Sequence, residues 1–92
     1  MKLAAFVVSG GSAAEVYAFK LLTELRRKNI AAAMDFAKKS MKAQMKAAAK
    51  SGAKFALIIG EDEVSSSTVT IKNLETSAQV KVPLQEVSEK II

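Results

Sequence analysis

Two kinds of apolar pattern alternate along this chain. Residues 55–59 form an unbroken apolar run, which is typical of a strand covered on both faces, and residues 3–8 predict another strand. Residues 68–72 and 78–82 instead alternate between apolar and polar side chains, as strands with one exposed face do. The polar residues 73–77 between them predict the turn of an antiparallel hairpin.

The segment after the first strand predicts a helix. The glycines at 10–11 form a turn, and Ser12 with Glu15 has the spacing of a capping box, so a helix is expected to begin at Ser12. Asn29 is expected to end this helix, and residues 30–34 predict a short second strand. The predicted core-facing stripe of the helix consists of Ala14, Ala18, Leu21, Leu22 and Leu25.

A second helix is predicted to begin after Ser40, which has the side chain of a helix cap. Gly52 can adopt the left-handed conformation and is predicted to close this helix. After the hairpin, Pro83 cannot continue a strand ladder, and residues 84–91 predict a short amphipathic terminal helix. The second helix has an apolar stripe of Met41, Met45 and Ala48 and a basic stripe of Lys39, Lys42, Lys46 and Lys50.

The order of these elements is β-α-β-α-β-β-β-α. Two right-handed β-α-β crossovers followed by a hairpin predict a mostly parallel sheet with one antiparallel member and helices on both faces. The 92 residues fit one domain, which we expect to span residues 1–92. The fold class is therefore predicted to be α/β.

Composition narrows the chemistry that this chain can perform. There is no cysteine and no histidine, which excludes the usual zinc sites, nucleophile arrangements that need either residue, and a histidine general base. Fourteen Lys and Arg against nine Asp and Glu give a net charge of +5, which favours polyanionic partners where the lysines cluster. The apolar start of the chain is too short to span a membrane and does not resemble a signal peptide, so a cytoplasmic protein is expected.

The basic helix is the strongest indication of function in the residues themselves. Lys39 and Lys42 fall at its beginning, where the helix dipole disfavours positive charge, and a phosphate backbone would compensate them. The alternative is a solvated lysine face that keeps a small protein soluble. The residues alone leave both interpretations open.

Three acidic residues follow the buried third strand. In open α/β sheets the carboxyl end of a central strand is the favoured place for a ligand, and Glu61, Asp62 and Glu63 lie there in a predicted loop. No second acidic cluster accompanies them, so a metal site is not predicted. Carboxylates can instead accept hydrogen bonds from the amino and imino groups of nucleobases. Residues 10–12 lack the spacing of a nucleotide-binding loop, and Phe36 is the aromatic residue that suits base stacking best.

Several segments together have a familiar sequence. The chain carries LLTELR at 21–26, NI at 29–30, MD at 34–35, KSMKAQ at 39–44, SGAKFALIIGEDE at 51–63 and TVTIKNLET at 68–76. These segments resemble the C-terminal anticodon-binding domain of histidyl-tRNA synthetases, and the resemblance covers nearly the whole chain. Ser77 departs from the pattern, since glycine usually follows Asn-Leu-Glu-Thr, and Ala47 and Ala49 replace a tyrosine and an acidic residue.

The resemblance implies a fold and a function. The fold is a three-layer α/β/α domain with a mixed five-stranded sheet in the order 2-1-3-4-5, in which strand 4 is antiparallel. The function is that of a tRNA-binding module that grips the anticodon stem-loop of tRNA(His) and reads its GUG triplet. The domain holds no cofactor, since ATP and magnesium belong to the catalytic domain of the implied parent, a histidine-tRNA ligase. That parent is expected to be a homodimer and the isolated domain a monomer.

The resemblance also implies which residues contact tRNA. An acidic residue after the third strand and a basic residue on the fourth contact anticodon bases in related domains, and by position these are Glu63 and Lys72. The remaining implied contacts are Lys39, Ser40, Lys42, Gln44, Lys46 and Glu61.

The implied module is not catalytic by itself. The class II catalytic motifs are absent from its 92 residues, so the chain is expected to be a piece of a full synthetase. The alternative is a free-standing paralogue that acts as a regulatory or protein-interaction module. A small-molecule enzyme is a third hypothesis, and it requires a pocket with strongly perturbed lysines or carboxylates.

Overall fold

A computed structural model describes residues 3–35 and 40–91. The strands are β1 (Ala5–Ser9), β2 (Ala32–Met34), β3 (Phe55–Ile59), β4 (Thr68–Asn73) and β5 (Gln79–Pro83). The helices are α1 (Ser12–Arg27), α2 (Met41–Lys50), α3 (Glu61–Ser66) and α4 (Val87–Ile91), with a single 3-10 turn at Leu84–Glu86.

The five strands form one mixed sheet in the order β2-β1-β3-β4-β5. β1 pairs in parallel with β2 and β3, whereas β4 is antiparallel to both β3 and β5. The predicted α/β class, strand order and antiparallel fourth strand are thus confirmed.

Each face of the sheet carries its own apolar cluster. The first cluster joins α1 and α4 to alternate strand residues, among them Val7, Leu57 and Val69. The second cluster joins α2 to the strand residues that point to the opposite face, among them Phe6, Val8 and Ala56. Leu74, just after β4, is its one member near the hairpin among the described residues. The helices therefore lie on both faces, as expected, but α2 covers only part of its own face.

Several local predictions are confirmed. The hydroxyl oxygen of Ser40 accepts a hydrogen bond from the Ala43 amide at 3.2 Å and so caps α2. Gly52, just after α2, has a φ of +79°, and Asn29, just after α1, has a φ of +63°. Both residues adopt the left-handed conformation with which helices commonly end.

Other local predictions are wrong. Ser12 does not cap α1, because Gly11 takes the cap position at a φ of +101° and moves Ser12 into the first turn. The acidic residues at 61–63 do not form a loop, since they begin α3, where negative charge suits the positive end of the helix. Pro83 is still part of β5 and pairs with Thr68, which the free edge of the sheet permits.

Candidate nucleic-acid interface

The hairpin of β4 and β5 has one apolar and one polar face. Val69, Ile71 and Val82 point into the first cluster and are buried. The alternate residues face the other way, and the pairing sets Thr70 opposite Lys81 and Lys72 opposite Gln79. The lysine and glutamine of β5 are exposed. The polar face of the hairpin, comprising Thr68, Thr70, Lys72, Gln79 and Lys81, therefore forms an open floor beside α2.

Helix α2 presents lysines to solvent next to this floor. Gln44 and Ala48 are its buried residues, whereas Lys42, Lys46 and Lys50 are exposed on the opposite side. The helix therefore stands beside the hairpin as a wall whose outer surface is basic. We call the polar face of the hairpin, together with Lys42, Lys46 and Lys50 of α2, the lysine face.

The lysine face contains no carboxylate from its own elements. Neither α2 nor the two hairpin strands has an Asp or Glu in its sequence. On the other side of the sheet the charges are mixed, and Glu24 of α1 lies 3.8 Å from Arg27 and 3.9 Å from Lys28. Positive charge is therefore concentrated on one side of the molecule, as binding to a polyanion requires.

Glu63 joins the carboxyl end of β3 to the lysine face. One carboxylate oxygen, Oε1, accepts a hydrogen bond from the Gly60 amide at 2.7 Å, which caps the start of α3. The other, Oε2, accepts a hydrogen bond from the Thr70 hydroxyl and lies 3.2 Å from both Thr70 Oγ1 and Lys81 Nζ. Glu63 is only 9% exposed. Its carboxylate is thus fixed at the end of the hairpin floor.

These contacts control the ionisation of Glu63. Burial by itself would raise the pKa of Glu63, but the Gly60 amide, Lys81 and Thr70 together bring this pKa below its ordinary value of 4.5. Glu63 is therefore a carboxylate at neutral pH. Burial of Tyr17 raises the pKa of its hydroxyl group, and the negative charge of Glu63 raises this pKa further. The Tyr17 hydroxyl donates a hydrogen bond to the Thr68 carbonyl oxygen at 3.1 Å.

The start of α2 is held against the end of β1. The side-chain amide of Gln44 donates to the Ser9 carbonyl oxygen at 2.6 Å, and its oxygen accepts from the Ser9 amide at 2.8 Å. A Cβ added to Gly10 would lie 2.8 Å from Met41 Cε, so the two elements approach closely. Gln44 is 4% exposed, and the structure gives it the role of positioning α2 rather than the surface role expected from the sequence.

The structure brings only some of the expected residues together. Glu63 and Lys72 both face the hairpin floor, where Lys72 is two residues from Thr70, or about 7 Å along the strand. Glu61 is exposed in the first turn of α3, and Ser40 uses its hydroxyl to cap α2. Lys42 and Lys46 are exposed on the wall. Lys39, an implied tRNA contact, and Phe36, the candidate for base stacking, lie outside the described residues.

Lys81 was not among the expected site residues. The predicted alternation of residues 78–82 puts it on the polar face of its strand, but the partner of that face depends on the hairpin register. Since Lys81 pairs with Thr70, the register sets it beside the Glu63 carboxylate. Lys81 could be identified as a neighbour of Glu63 only from the register in which β4 and β5 pair.

Two further kinds of feature concern the described residues, a metal site and a membrane-spanning helix. Within residues 3–35 and 40–91, no three Asp or Glu residues are arranged to hold a metal ion. No helix in the same ranges has the length and apolar character needed to cross a membrane.

Comparison with known proteins identifies the family. Residues 4–92 match the family described as the anticodon binding domain, and the chain belongs to this family. It is 43% identical over 90 residues to the histidine-tRNA ligase of Natranaerobius thermophilus and 41% identical over 86 residues to that of Clostridioides difficile. These alignments cover 98% and 94% of this chain but 21% and 20% of those proteins. The chain thus spans about a fifth of the length of the curated relatives it matches.

Solved structures agree with this assignment. The apo histidyl-tRNA synthetase of S. aureus superposes with a TM-score of 0.91 at 35% identity, covering 99% of this chain and 27% of that one. The RNA-binding domain of threonyl-tRNA synthetase from Cryptosporidium parvum has a TM-score of 0.88 at 22% identity, and this likeness concerns the fold alone. The resemblance to the anticodon-binding domain of histidyl-tRNA synthetase that the sequence indicated is confirmed.

Proposed function

We propose that this chain is a tRNA-binding module that recognises the anticodon stem-loop of tRNA(His) and is not catalytic by itself. The observation that carries the proposal is the lysine face, which combines exposed lysines with an open polar sheet and has no carboxylate in its own elements. Family membership supports an anticodon as the ligand. The similarity to histidine-tRNA ligases supports the histidine tRNA in particular.

The two parts of the lysine face have different tasks in this proposal. Lys42 and Lys46 on the wall attract phosphates, whatever the base sequence, and release counterions when they bind. Ser40 and Glu61 contribute further polar contacts, and Lys39 is included in the proposal on the sequence resemblance alone.

Base selection falls to the hairpin floor. The Glu63 carboxylate is held as an anion and can accept hydrogen bonds from base amino and imino groups. A carboxylate has about four acceptor positions, and the contacts with Gly60, Thr70 and Lys81 use three of them, which leaves one for a base. Lys72 is a donor for base carbonyl and ring-nitrogen acceptors. The two residues supply complementary halves of a base-reading surface.

Titration with two RNA stem-loops tests the proposal. One carries GUG in the loop and the other has the same loop bases scrambled. We expect tighter binding of the GUG loop, and equal or absent binding of both would contradict anticodon reading. Lys42→Met should weaken both loops together and reduce the slope of log affinity against log salt by about one unit. Glu63→Gln should mainly reduce the preference between the loops.

The parent protein is a separate part of the proposal. Because the chain covers about a fifth of its relatives, we propose that it acts within a larger histidine-tRNA ligase. In that enzyme a separate catalytic domain would use ATP and magnesium, the subunits would pair as a homodimer, and the location would be the cytoplasm. Sequencing of the gene on both sides of this segment tests the arrangement, and the absence of a catalytic domain there would contradict it.

A regulatory or protein-interaction module is the second candidate function. One observation favours it, namely that Val16 and Phe19 of α1 are 60% and 54% exposed beside a groove of about 450 Å³. Exposed apolar side chains that adjoin one another are typical of protein contacts. Failure of the chain to bind either stem-loop would favour this alternative.

A further inference from the structure

Lys81 is the one lysine of the hairpin floor that the proposed function has not used. Its Nζ lies 3.2 Å from Glu63 Oε2, and its side chain is 48% exposed, compared with 11% for the Glu63 side chain. The carboxylate is therefore enclosed, whereas the ammonium group remains accessible to solvent. The Lys81 side chain is therefore free to change position, whereas the Glu63 side chain is fixed.

The ion pair is easy to exchange for another. Pairs with a solvent-exposed member contribute about 0–1 kcal/mol, because water screens the charges and ordering the long side chain costs entropy. Glu63 does not depend on Lys81 for its position, since the Gly60 amide and the Thr70 hydroxyl hold both of its oxygens. Lys81 can therefore leave without releasing the carboxylate.

We propose that Lys81 exchanges partners when RNA binds, leaving Glu63 Oε2 for a phosphate of the bound strand. This inference rests on the proposed function. It adds Lys81 to the same site as a phosphate-binding residue, and it makes the contact between Lys81 and Glu63 one that must break when RNA binds. In the free protein Lys81 shields the carboxylate that would otherwise repel an approaching polyanion. In the complex its charge neutralises a phosphate, and the vacated position on Oε2 accepts a base N–H group.

The position of Lys81 suits both partners. It lies opposite Thr70 in the strand pair, on the face that also bears Lys72 and Gln79, so a strand of RNA across the floor passes over it. A lysine stem of four carbons reaches several ångströms around its Cα, and the ammonium group is a point charge without a fixed binding direction. The same side chain can thus contact Glu63 or a phosphate in turn.

The test compares Lys81→Met with the wild-type chain, using the GUG and scrambled stem-loops over a range of salt concentrations. Methionine retains most of the apolar stem and removes the charge. We expect affinity for both loops to fall by about three- to tenfold at 0.1 M salt and the salt slope to decrease by about 0.7, the value for one phosphate contact on a single strand. Lys81→Arg should restore the slope. Lys20→Met, on α1 at the opposite side of the sheet, is the matched control and should change neither quantity.

The opposite results would overturn the inference. If Lys81 only blocks access to Glu63 and contacts no phosphate, then Lys81→Met will bind the GUG loop as tightly as the wild type or more tightly, with an unchanged salt slope. If the wild-type chain binds the loops normally and the methionine variant matches it, the Lys81 inference alone fails. If the wild-type chain binds neither loop, the proposed function fails as well.

Glu63→Gln provides a second, independent measurement. Glutamine keeps an acceptor for the Gly60 amide but removes the charge that attracts Lys81. We expect this variant to bind the scrambled loop about as tightly as the wild type or up to severalfold more tightly, because Lys81 no longer has to be withdrawn from a carboxylate. A clear loss of affinity for the scrambled loop would contradict the exchange.

Discussion

Glu63 makes the stability of the domain depend on pH. Its pKa lies below the ordinary value of 4.5 in the folded chain, so the unfolded chain binds more protons in the range between the two values. The stabilisation from Glu63 is therefore complete above about pH 4.5 and is lost as the pH falls through the folded pKa. We expect the unfolding free energy of Glu63→Gln to decline less steeply than that of the wild type between about pH 5 and pH 3, as measured by urea denaturation.

Glu61→Gln is the matched control for this prediction. It removes an equal charge from an exposed position in the same turn of α3. An equal change of slope in both variants would mean that net charge, rather than the contacts of Glu63, causes the pH dependence.

Ser77 carries backbone strain at a position where the sequence resemblance led us to expect glycine. Its φ is +65°, in the left-handed region that costs most residues about 1 kcal/mol or more and glycine almost nothing. Its amide donates to the Asn73 carbonyl oxygen at 2.8 Å, so the turn fixes this conformation. We expect Ser77→Gly to raise the unfolding free energy by up to about 1 kcal/mol, reduced by the greater entropy of glycine in the unfolded chain.

Ser65→Gly tests whether conformation is the cause. Ser65 lies within α3, where glycine is unfavourable by about 0.5–1 kcal/mol relative to alanine and by a smaller amount relative to serine. Thermal or urea unfolding should therefore separate the two glycine variants in opposite directions. Destabilisation by both would contradict the strain at Ser77.

Helix α2 depends on Gln44 for its attachment to β1. Gln44→Ala removes the hydrogen bonds to Ser9 and leaves the Ser9 amide and carbonyl without these partners, which we expect to cost about 1–3 kcal/mol in urea unfolding. Gln44→Glu should cost at least as much, because a buried carboxylate cannot donate to the Ser9 carbonyl. The exposed Gln85→Ala is the control and should change stability by less than about 0.5 kcal/mol. Similar losses in all three variants would contradict a specific role for Gln44.

Elements with a strong periodic pattern could be predicted from the sequence, whereas contacts between elements could not. The unbroken run at 55–59 and the alternation at 68–72 each identified a strand, because one side-chain pattern matches one kind of environment. Gln44 was expected at the surface because it lies next to lysines, but helical geometry turns it towards β1. Lys81 was missed because its partner, Glu63, depends on strand register. The start of α3 was missed because three consecutive carboxylates are common in loops. Only the hydrogen bond from the Gly60 amide to the Glu63 side chain shows that a helix begins there.

The whole molecule separates its charges between the two sides of the sheet. On the side of the sheet that α1 and α4 cover, the basic residues are accompanied by Glu15, Glu24 and Glu89. On the other side, α2 and the two hairpin strands contain lysines but no Asp or Glu. Two hypotheses follow. Either the local arrangement of lysines attracts RNA, or the net charge of +5 does so without regard to position.

Two triple variants with the same net charge distinguish these hypotheses. The first is Lys42→Gln, Lys46→Gln and Lys50→Gln on α2, and the second is Lys20→Gln, Arg27→Gln and Lys90→Gln on the other side of the sheet. Each phosphate contact contributes about 0.7–0.9 to the slope of log affinity against log salt, so we expect the α2 variant to lose about two to three units and the other variant to lose few or none. Equal losses would show that long-range attraction alone brings RNA to the protein. A loss confined to the α2 variant would place the phosphates on the wall of the lysine face, since screening limits an exposed charge to about 10 Å at 0.1 M salt.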